Sequence, residues 1–496
     1  MRDHVERTDV DVVIVGSRCA GAAAAIALAR RGRRVVALDS AAFPSDTLST
    51  HLMFPPHWAE VERLGALPRV LALGPPLHSH GGLAAPGVQV VGPYSAYNGL
   101  NFGSCVRRSG FDLALVETAR EAGAEVRERV RVTGLLTEPS GRVTGVRFTT
   151  RDGTTRSITA KLIIGADGRR STIARLVGAP EHHHWPNGRM MAYAYYTDTH
   201  HDERELAMQW RQDDDLVTVF PCDGGQLVAL QMPPVRRAAE YRADAETAFD
   251  ATVARIPGYA ERLRGCARVS RIFTSVTHPS YFRHSHGPGW ALAGDAGHFK
   301  DPVTAQGMRD ALRFGRTLGE AVAPYLDDEE ALDAALAAWE DDRDRQCLPM
   351  YQWANNLGRD DRVSPIEDAA YRWFAARPGG PTEILDVFSR KRDATEVFTP
   401  ARLVRWVAAA ARDPRVDRRE LARTLRRDLG REAARMVEAA LFFRRRDESR
   451  RRFSAEFGSR RPEDTTTLSA APAGAQSGAQ STDGQEDSQS TTQVAG

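Results

Sequence analysis

The chain reads as α/β, with a parallel-stranded opening, an antiparallel sheet set into it and a helical C-terminal region. Three observations predict this class. Residues 10–39 carry strand, helix and strand patterns within the span of one βαβ unit. Residues 189–234 hold four short strand-like runs broken by an Asp223-Gly224-Gly225 turn. Residues 366–457 are periodic at helical spacing, with breaks near Pro378–Pro381 and Pro400. The 496 residues are 42% apolar, 27% charged and 7% aromatic, which excludes disorder over most of the length.

Each element follows from its residues. Val10–Gly16 is a β-branched run bounded by glycine, the pattern of a buried parallel strand. An Ala-rich helix follows and ends at Gly32, a natural C-cap. Arg33–Asp39 gives the second strand. Residues 41–104 are rich in Pro, Gly, Ser and His and read as an excursion, with a short helix near His57–Leu64. Residues 108–122 form a helix with Phe111, Leu115, Val116 and Ala119 at its apolar positions. Residues 123–164 alternate like strands, and Asp152-Gly153 marks a hairpin turn. Met190–Tyr196, Glu205–Arg211, Leu216–Pro221 and Gln226–Met232 are the strand candidates of the second sheet. Residues 304–325 and 329–347 are helical. From Gly458 the chain is rich in Ser, Thr, Gly, Gln and Ala, without an aromatic residue, and reads as a disordered tail.

Several classes are excluded. The five cysteines are scattered and lack C-x-x-C spacing, so neither a disulfide framework nor a cysteine metal site is expected. His182-His183-His184 reads as a surface or pocket-rim loop, since consecutive side chains do not converge on one ion, and no metal is expected. The N-terminus has no apolar signal region, and the longest apolar run, Ala22–Ala29, is too short for a membrane span. A cytoplasmic location is expected. Net charge is +2. Residues 402–461 hold 19 Arg against nine Asp and Glu. Leu421, Leu425, Leu429, Met436, Val437 and Leu441 trace an apolar stripe between them, so an amphipathic helix with a solvated basic face is expected rather than a nucleic-acid surface.

Three motifs carry chemistry. Gly16-Ser17-Arg18-Cys19-Ala20-Gly21 lies at a strand–turn–helix junction, with Arg18 in the place of the second glycine of G-x-G-x-x-G. Such a junction makes a Rossmann-type dinucleotide site: the helix N-terminus receives a diphosphate, and an acid closing the next strand, here Asp39, accepts from a ribose. Asp167-Gly168 follows the apolar strand Lys161–Ile164, and Gly294-Asp295 follows Trp290–Ala293.

In this order the motifs resemble those of the FAD-dependent monooxygenases of the para-hydroxybenzoate hydroxylase fold and the related geranylgeranyl-reductase-like flavoproteins. The resemblance spans roughly residues 8–325. It implies an FAD-binding domain made of residues 1–75, 105–180 and 285–330, a substrate domain of residues 76–104 and 181–284, and a helical region over residues 331–457, before the tail at 458–496. It also implies site roles. Gly16, Ser17, Arg18 and Gly21 would hold the FAD diphosphate, Asp39 the adenosine ribose, and Val132 the adenine through its backbone. Arg108 would reach FAD, and Asp167 would support FAD and the pyridine nucleotide. Gly294 and Asp295 would meet the ribityl chain. Gln306, Gly307 and Met308 would present a helix N-terminus to the flavin ring.

The resemblance implies an oxidoreductase using FAD, NAD(P)H and O2 to hydroxylate or epoxidise an apolar or aromatic small molecule, in secondary metabolism. The alternatives are an FAD reductase saturating C=C bonds of an isoprenoid-like substrate and a cyclase with structural FAD. Met190, Tyr193, Tyr195, Met208, Trp210 and Phe220 are pocket candidates, with strand alternation admitting every second one. His51 lies in the loop expected beside the flavin and is a candidate proton donor. Lys300 is a second catalytic candidate: against 64 Arg the chain holds only Lys161, Lys300 and Lys391, and Lys300 falls in G-D-A-G-H-F-K-D-P.

Overall fold

The structure is a computed structural model and describes residues 4–49 and 51–457. The expected tail lies outside the described residues. β1 (His4–Val15), α1 (Cys19–Ala29) and β2 (Val35–Leu38) form the βαβ unit, with β1 and β2 parallel and Val12 opposite Val35. On its other side β1 pairs in parallel with Thr155–Gly165, Ile14 opposite Ile164. The main path of this eight-stranded sheet runs His286–Gly287, Trp290–Leu292, Thr155–Gly165, β1, β2, Glu125–Arg127. Val12, Val13 and Ile14 are fully buried, as a strand covered on both faces requires.

All of α1 but its last residue is buried, because the helix Gly307–Val322 lies against it at backbone distance. A Cβ at Gly315 would stand 2.3 Å from the Ala20 carbonyl oxygen, and one at Gly319 would stand 2.9 Å from that of Ala24. The two helices therefore run in the same direction.

The second sheet has ten strands. Its main path runs Phe273–Ser275, Met191–Thr197, Gln226–Gln231, Asp215–Cys222, Leu206–Gln212, His80–Ala85, Val88–Pro93. Leu52–Met53, placed by sequence with the first domain, pairs here instead, Leu52 opposite Cys105. Alternation divides the pocket candidates. Tyr193, Tyr195 and Phe220 share one face with Leu52 and Phe54. Met190, Met208 and Trp210 belong to the cluster on the other face, beneath Tyr241, Phe249 and Tyr259.

Glu329–Leu357, Pro365–Ala376, Gly380–Phe388, Pro400–Arg412 and Arg418–Phe457 make up most of the helical region. The last helix departs from its expected single stripe. Leu421, Phe442 and Phe453 each enter a different core, while Leu429, Met436 and Val437 between them are exposed. Its arginines are partly consumed as anchors: buried Arg446 pairs with Asp341 and Asp344, and Arg431 with Asp361. His182–His184 is not a loop but part of the strand Glu181–Trp185, with His182 and His183 packed on Phe442. No helix among the described residues is long and apolar enough to cross a membrane.

Candidate functional site: a flavin cradle

The turn after β1 is shaped by two glycines. Gly16 has φ +95°, and a Cβ there would lie 2.5 Å from the Ala166 carbonyl oxygen, so the mid-chain Asp-Gly turn presses directly on the first motif. A Cβ at Gly21 would lie 1.8 Å from the Gly16 carbonyl oxygen. The Ser17 N–H donates to Asp39 Oδ2 at 2.7 Å and the Ala41 N–H to Oδ1 at 2.8 Å, which fixes the acid at the end of β2. The first turn of α1 leaves N–H groups without helical acceptors, and Ser17 Oγ beside them is buried without a partner. Donors of this kind suit a diphosphate.

Arg18 fits the second glycine's place because its backbone is extended, φ −79°, with no left-handed conformation required. It pairs with Asp112, donates to Ser45 O at 3.1 Å and Ser45 Oγ at 2.9 Å, and lies over the Phe43 ring. Arg108 holds the same carboxylate from Nε (3.0 Å) and Nη2 (2.9 Å). Burial works against the Arg108 charge, but Asp112 outweighs it and holds the guanidinium above its ordinary value. Asp112 is thus a common anchor for two expected FAD residues, and its signal in the sequence was only its i+4 spacing from Arg108.

At the other end, Gln306 precedes the helix Gly307–Val322, and a Cβ on Gly307 would meet nothing within 4 Å. Gln306 is buried and donates from Nε2 to Phe388 O at 2.8 Å, while its Oε1 is buried without a partner. Met308 Sδ accepts from Ser49 Oγ at 3.5 Å. Gly294 packs on Ala20, and the Asp295 carboxyl makes no hydrogen bond among the described residues. Burial raises its pKa, opposed by Arg169, Lys300 and Arg108.

Three expected residues have other duties. Asp167 accepts from Ser171 Oγ and Thr172 N, both at 2.6 Å, and so caps the helix Thr172–Val177. Val132 pairs with Phe148 in the strand ladder; the residues bonded to the backbone of Asp39 and Ala41 are Arg127, Arg129 and Val130. Lys300 Nζ is committed to Asp310 and is 4% exposed, so its charge belongs to a buried ion cluster.

His51 has φ +64° and is fully buried. Its Nε2 meets Tyr195 Oη at 2.9 Å, a partner that sequence reasoning did not assign, and its Nδ1 has none. Burial, reinforced by Arg108, pushes its pKa down to about 3. His57, fully buried, is likewise brought to about 3, and His78 to about 4. All three stay neutral in the folded protein, while the unfolded chain binds protons below about pH 6.5. Stability is therefore whole above that pH and falls as pH drops toward 3–4. At pH 5.5 each histidine accounts for a loss of about 1.4 kcal/mol. Urea midpoints measured from pH 7.5 to 5 should fall steadily below pH 6.5; a flat profile contradicts this.

Three clusters of ligand-type side chains among the described residues escaped sequence reasoning, and two of them share Glu340. His284, His286 and Glu340 bring ligand-type atoms within 4.8 Å of one another. Glu340 is already met by the Ser285 N–H at 3.1 Å and by Arg450 at 3.3 Å, so its charge is compensated within the protein.

The orphan Ser17 hydroxyl, the close glycine turn, the unengaged Asp295 carboxyl and the open N-terminus at Gly307 suit the parts of FAD that the resemblance assigns them: the diphosphate would lie at α1, the ribityl chain at Asp295 and the ring at Gly307. A family model described as FAD binding domain matches residues 9–354. A menaquinone reductase of Mycolicibacterium smegmatis is 30% identical over 320 residues, covering 63% of this chain and 76% of the relative. Digeranylgeranylglycerophospholipid reductase 2 of Methanopyrus kandleri is 26% identical over 367 residues, covering 70% and 85%. The flavin-dependent brominase Bmp2 shares the fold, with a TM-score of 0.68 at 19% identity, covering 82% of this chain and all of that one. The three motifs all fall within the matched span, and the chain belongs to the FAD binding domain family as an FAD-dependent oxidoreductase.

Proposed function

We propose that the protein is a monooxygenase that draws electrons from NAD(P)H and uses O2 to hydroxylate or epoxidise an apolar or aromatic small molecule. Bound FAD supplies the redox chemistry; the chain supplies the binding, the dry surroundings and the orientation. One observation carries the reading. A small cavity of about 40 Å³, room for a few water-sized groups, lies between the inner face of the second sheet and residues 302–305, just before the Gly307 helix, and its lining is mostly apolar. Leu83, Phe220, Leu230 and Val303 form its walls, and its buried hydroxyls, Thr218 Oγ1 and Thr304 Oγ1, have no partner. No carboxylate, ammonium or thiol lines it, and burial raises its one phenol, Tyr94, far above its ordinary value. Epoxidation or hydroxylation needs shape and exclusion of water at the reacting carbon, whereas saturating a C=C bond needs a proton there.

A reductase is the second reading, favoured by the names of the two relatives and by the His51–Tyr195 pair as a proton source. That pair is a reluctant donor: His51 is neutral, and burial raises the Tyr195 hydroxyl far above its ordinary value. The test is turnover of the FAD-loaded protein with NAD(P)H and isotopically heavy O2 over a panel of aromatic and isoprenoid compounds. Incorporation of label into product is expected. Anaerobic formation of a product richer by two hydrogens overturns the proposal in favour of the reductase.

A further inference from the structure

The flavin site leaves one charged cluster unused. Lys300, Arg309 and Arg390 converge on the single carboxylate of Asp310, with Arg309 Nη1 at 3.0 Å and Arg390 Nη1 at 2.6 Å from Oδ1 and Lys300 Nζ on Oδ2. The side chains of all four are 3–11% exposed. Three cations on one carboxylate, with Asp295 the other acid within electrostatic reach of Lys300, leave an excess of positive charge where water screens poorly. Arg390 spends its other arm on the Gln346 carbonyl at 2.5 Å, and Arg309 Nε is buried with no partner. Burial and the neighbouring Arg390 push the Arg309 guanidinium down to about 10, the direction of a cation short of counter-charge.

Arg309 and Arg390 stand in the wall of a groove of about 1230 Å³ framed by the C-terminal helices. Much of its remaining lining is aromatic and aliphatic, with Trp353, Phe374, Phe398, Trp406 and Leu425 among it. That volume exceeds the range that suits a compact drug-sized ligand, about 300–1,000 Å³. Phe388 lines both this groove and the small cavity before the Gly307 helix, so the two spaces share a wall.

We infer that the substrate is a long amphiphile with a terminal acid group: the acid seats on Arg309 and Arg390, the apolar body lies along the aromatic groove, and the reacting end reaches the flavin cavity at Phe388. Such an acid completes the charge of the cluster and gives Arg309 Nε its acceptor, a charge-assisted bond in a dry setting. The inference rests on the flavin cavity being the place of reaction, but its test does not depend on turnover.

Trp353 and Trp406 provide the readout. FAD-loaded protein is titrated with dodecanoate and with dodecanol while tryptophan emission is followed. Dodecanoate should bind at least about tenfold tighter than dodecanol, and Arg309→Gln or Arg390→Gln should bring the two within about threefold. Equal affinity for acid and alcohol in the unaltered protein overturns the inference without any variant. So does a preference that survives both substitutions. If inorganic phosphate alone displaces dodecanoate at comparable concentration, the cluster serves free anions and the amphiphile is rejected. A failure here leaves the oxygen-labelling result standing, and a failure of oxygen labelling leaves the head-group preference standing.

Discussion

Gly21→Ala should yield a protein that no longer binds flavin. The added methyl would lie 1.8 Å from the Gly16 carbonyl oxygen, and 3.2 Å from Ile14 Cγ2 behind it. A backbone carbonyl has no rotamer to escape into, so α1 must lift from β1. That movement carries away the N–H groups that would meet the diphosphate, and it opens the contact between α1 and the Gly307 helix. The cost exceeds the ~1–3 kcal/mol of ordinary overpacking, and the FAD dissociation constant should rise by at least about a hundredfold. The ratio of flavin to protein absorbance after gel filtration measures it. Stoichiometric FAD in the purified variant would mean that the turn has slack that this geometry denies it.

The second large effect lies at Asp112. Its carboxylate is fully buried and carries both Arg18 and Arg108. Asp112→Ala leaves two guanidinium groups facing each other, one of them buried, and should cost about 3–5 kcal/mol. Arg18, freed from its anchor, also releases the loop at Ser45. Denaturant unfolding of the flavin-free protein reads the stability term, and FAD titration reads the site. Removing Arg18 as well should recover part of the loss, because the repulsion between the two guanidinium groups is then gone and only Arg108 stays unpaired; a double-mutant cycle shows this as non-additivity. A loss below about 1 kcal/mol would place Asp112 among ordinary surface positions.

The features legible in the sequence were those whose causes are local. The βαβ opening, the Asp152-Gly153 hairpin and the four strands between residues 190 and 232 each follow from patterns only a few residues wide, and the structure has them within a residue or two. What was not legible depended on distant partners. Arg18 looked like a phosphate ligand until Asp112, 94 residues along the chain, took its side chain. Lys300 stood out among arginines, yet the ion cluster it joins draws Arg390 from the middle of the helical region, 80 residues beyond Asp310. The stripe on the last helix predicted one apolar face, whereas the helix crosses three separate cores and leaves Leu429, Met436 and Val437 between them uncovered. A periodic pattern reports that a face exists; it does not report how many neighbours share it.

The backbone contact between α1 and the Gly307 helix sets a length. Ala20 is the second residue of its helix and Gly315 the ninth of its own, yet they touch. Seven residues of stagger at ~1.5 Å each place the two N-termini about 10 Å apart along the common axis. The contact works as a ruler between the diphosphate end and the ring end of the cofactor. Its graduations are coarse, because the small residues recur every four positions, and sliding to the next match would shift the ring end by about 6 Å. Between those notches side chains collide with carbonyls. The distance over which the cofactor is stretched is therefore quantised, and drift in the surrounding sequence cannot tune it by degrees.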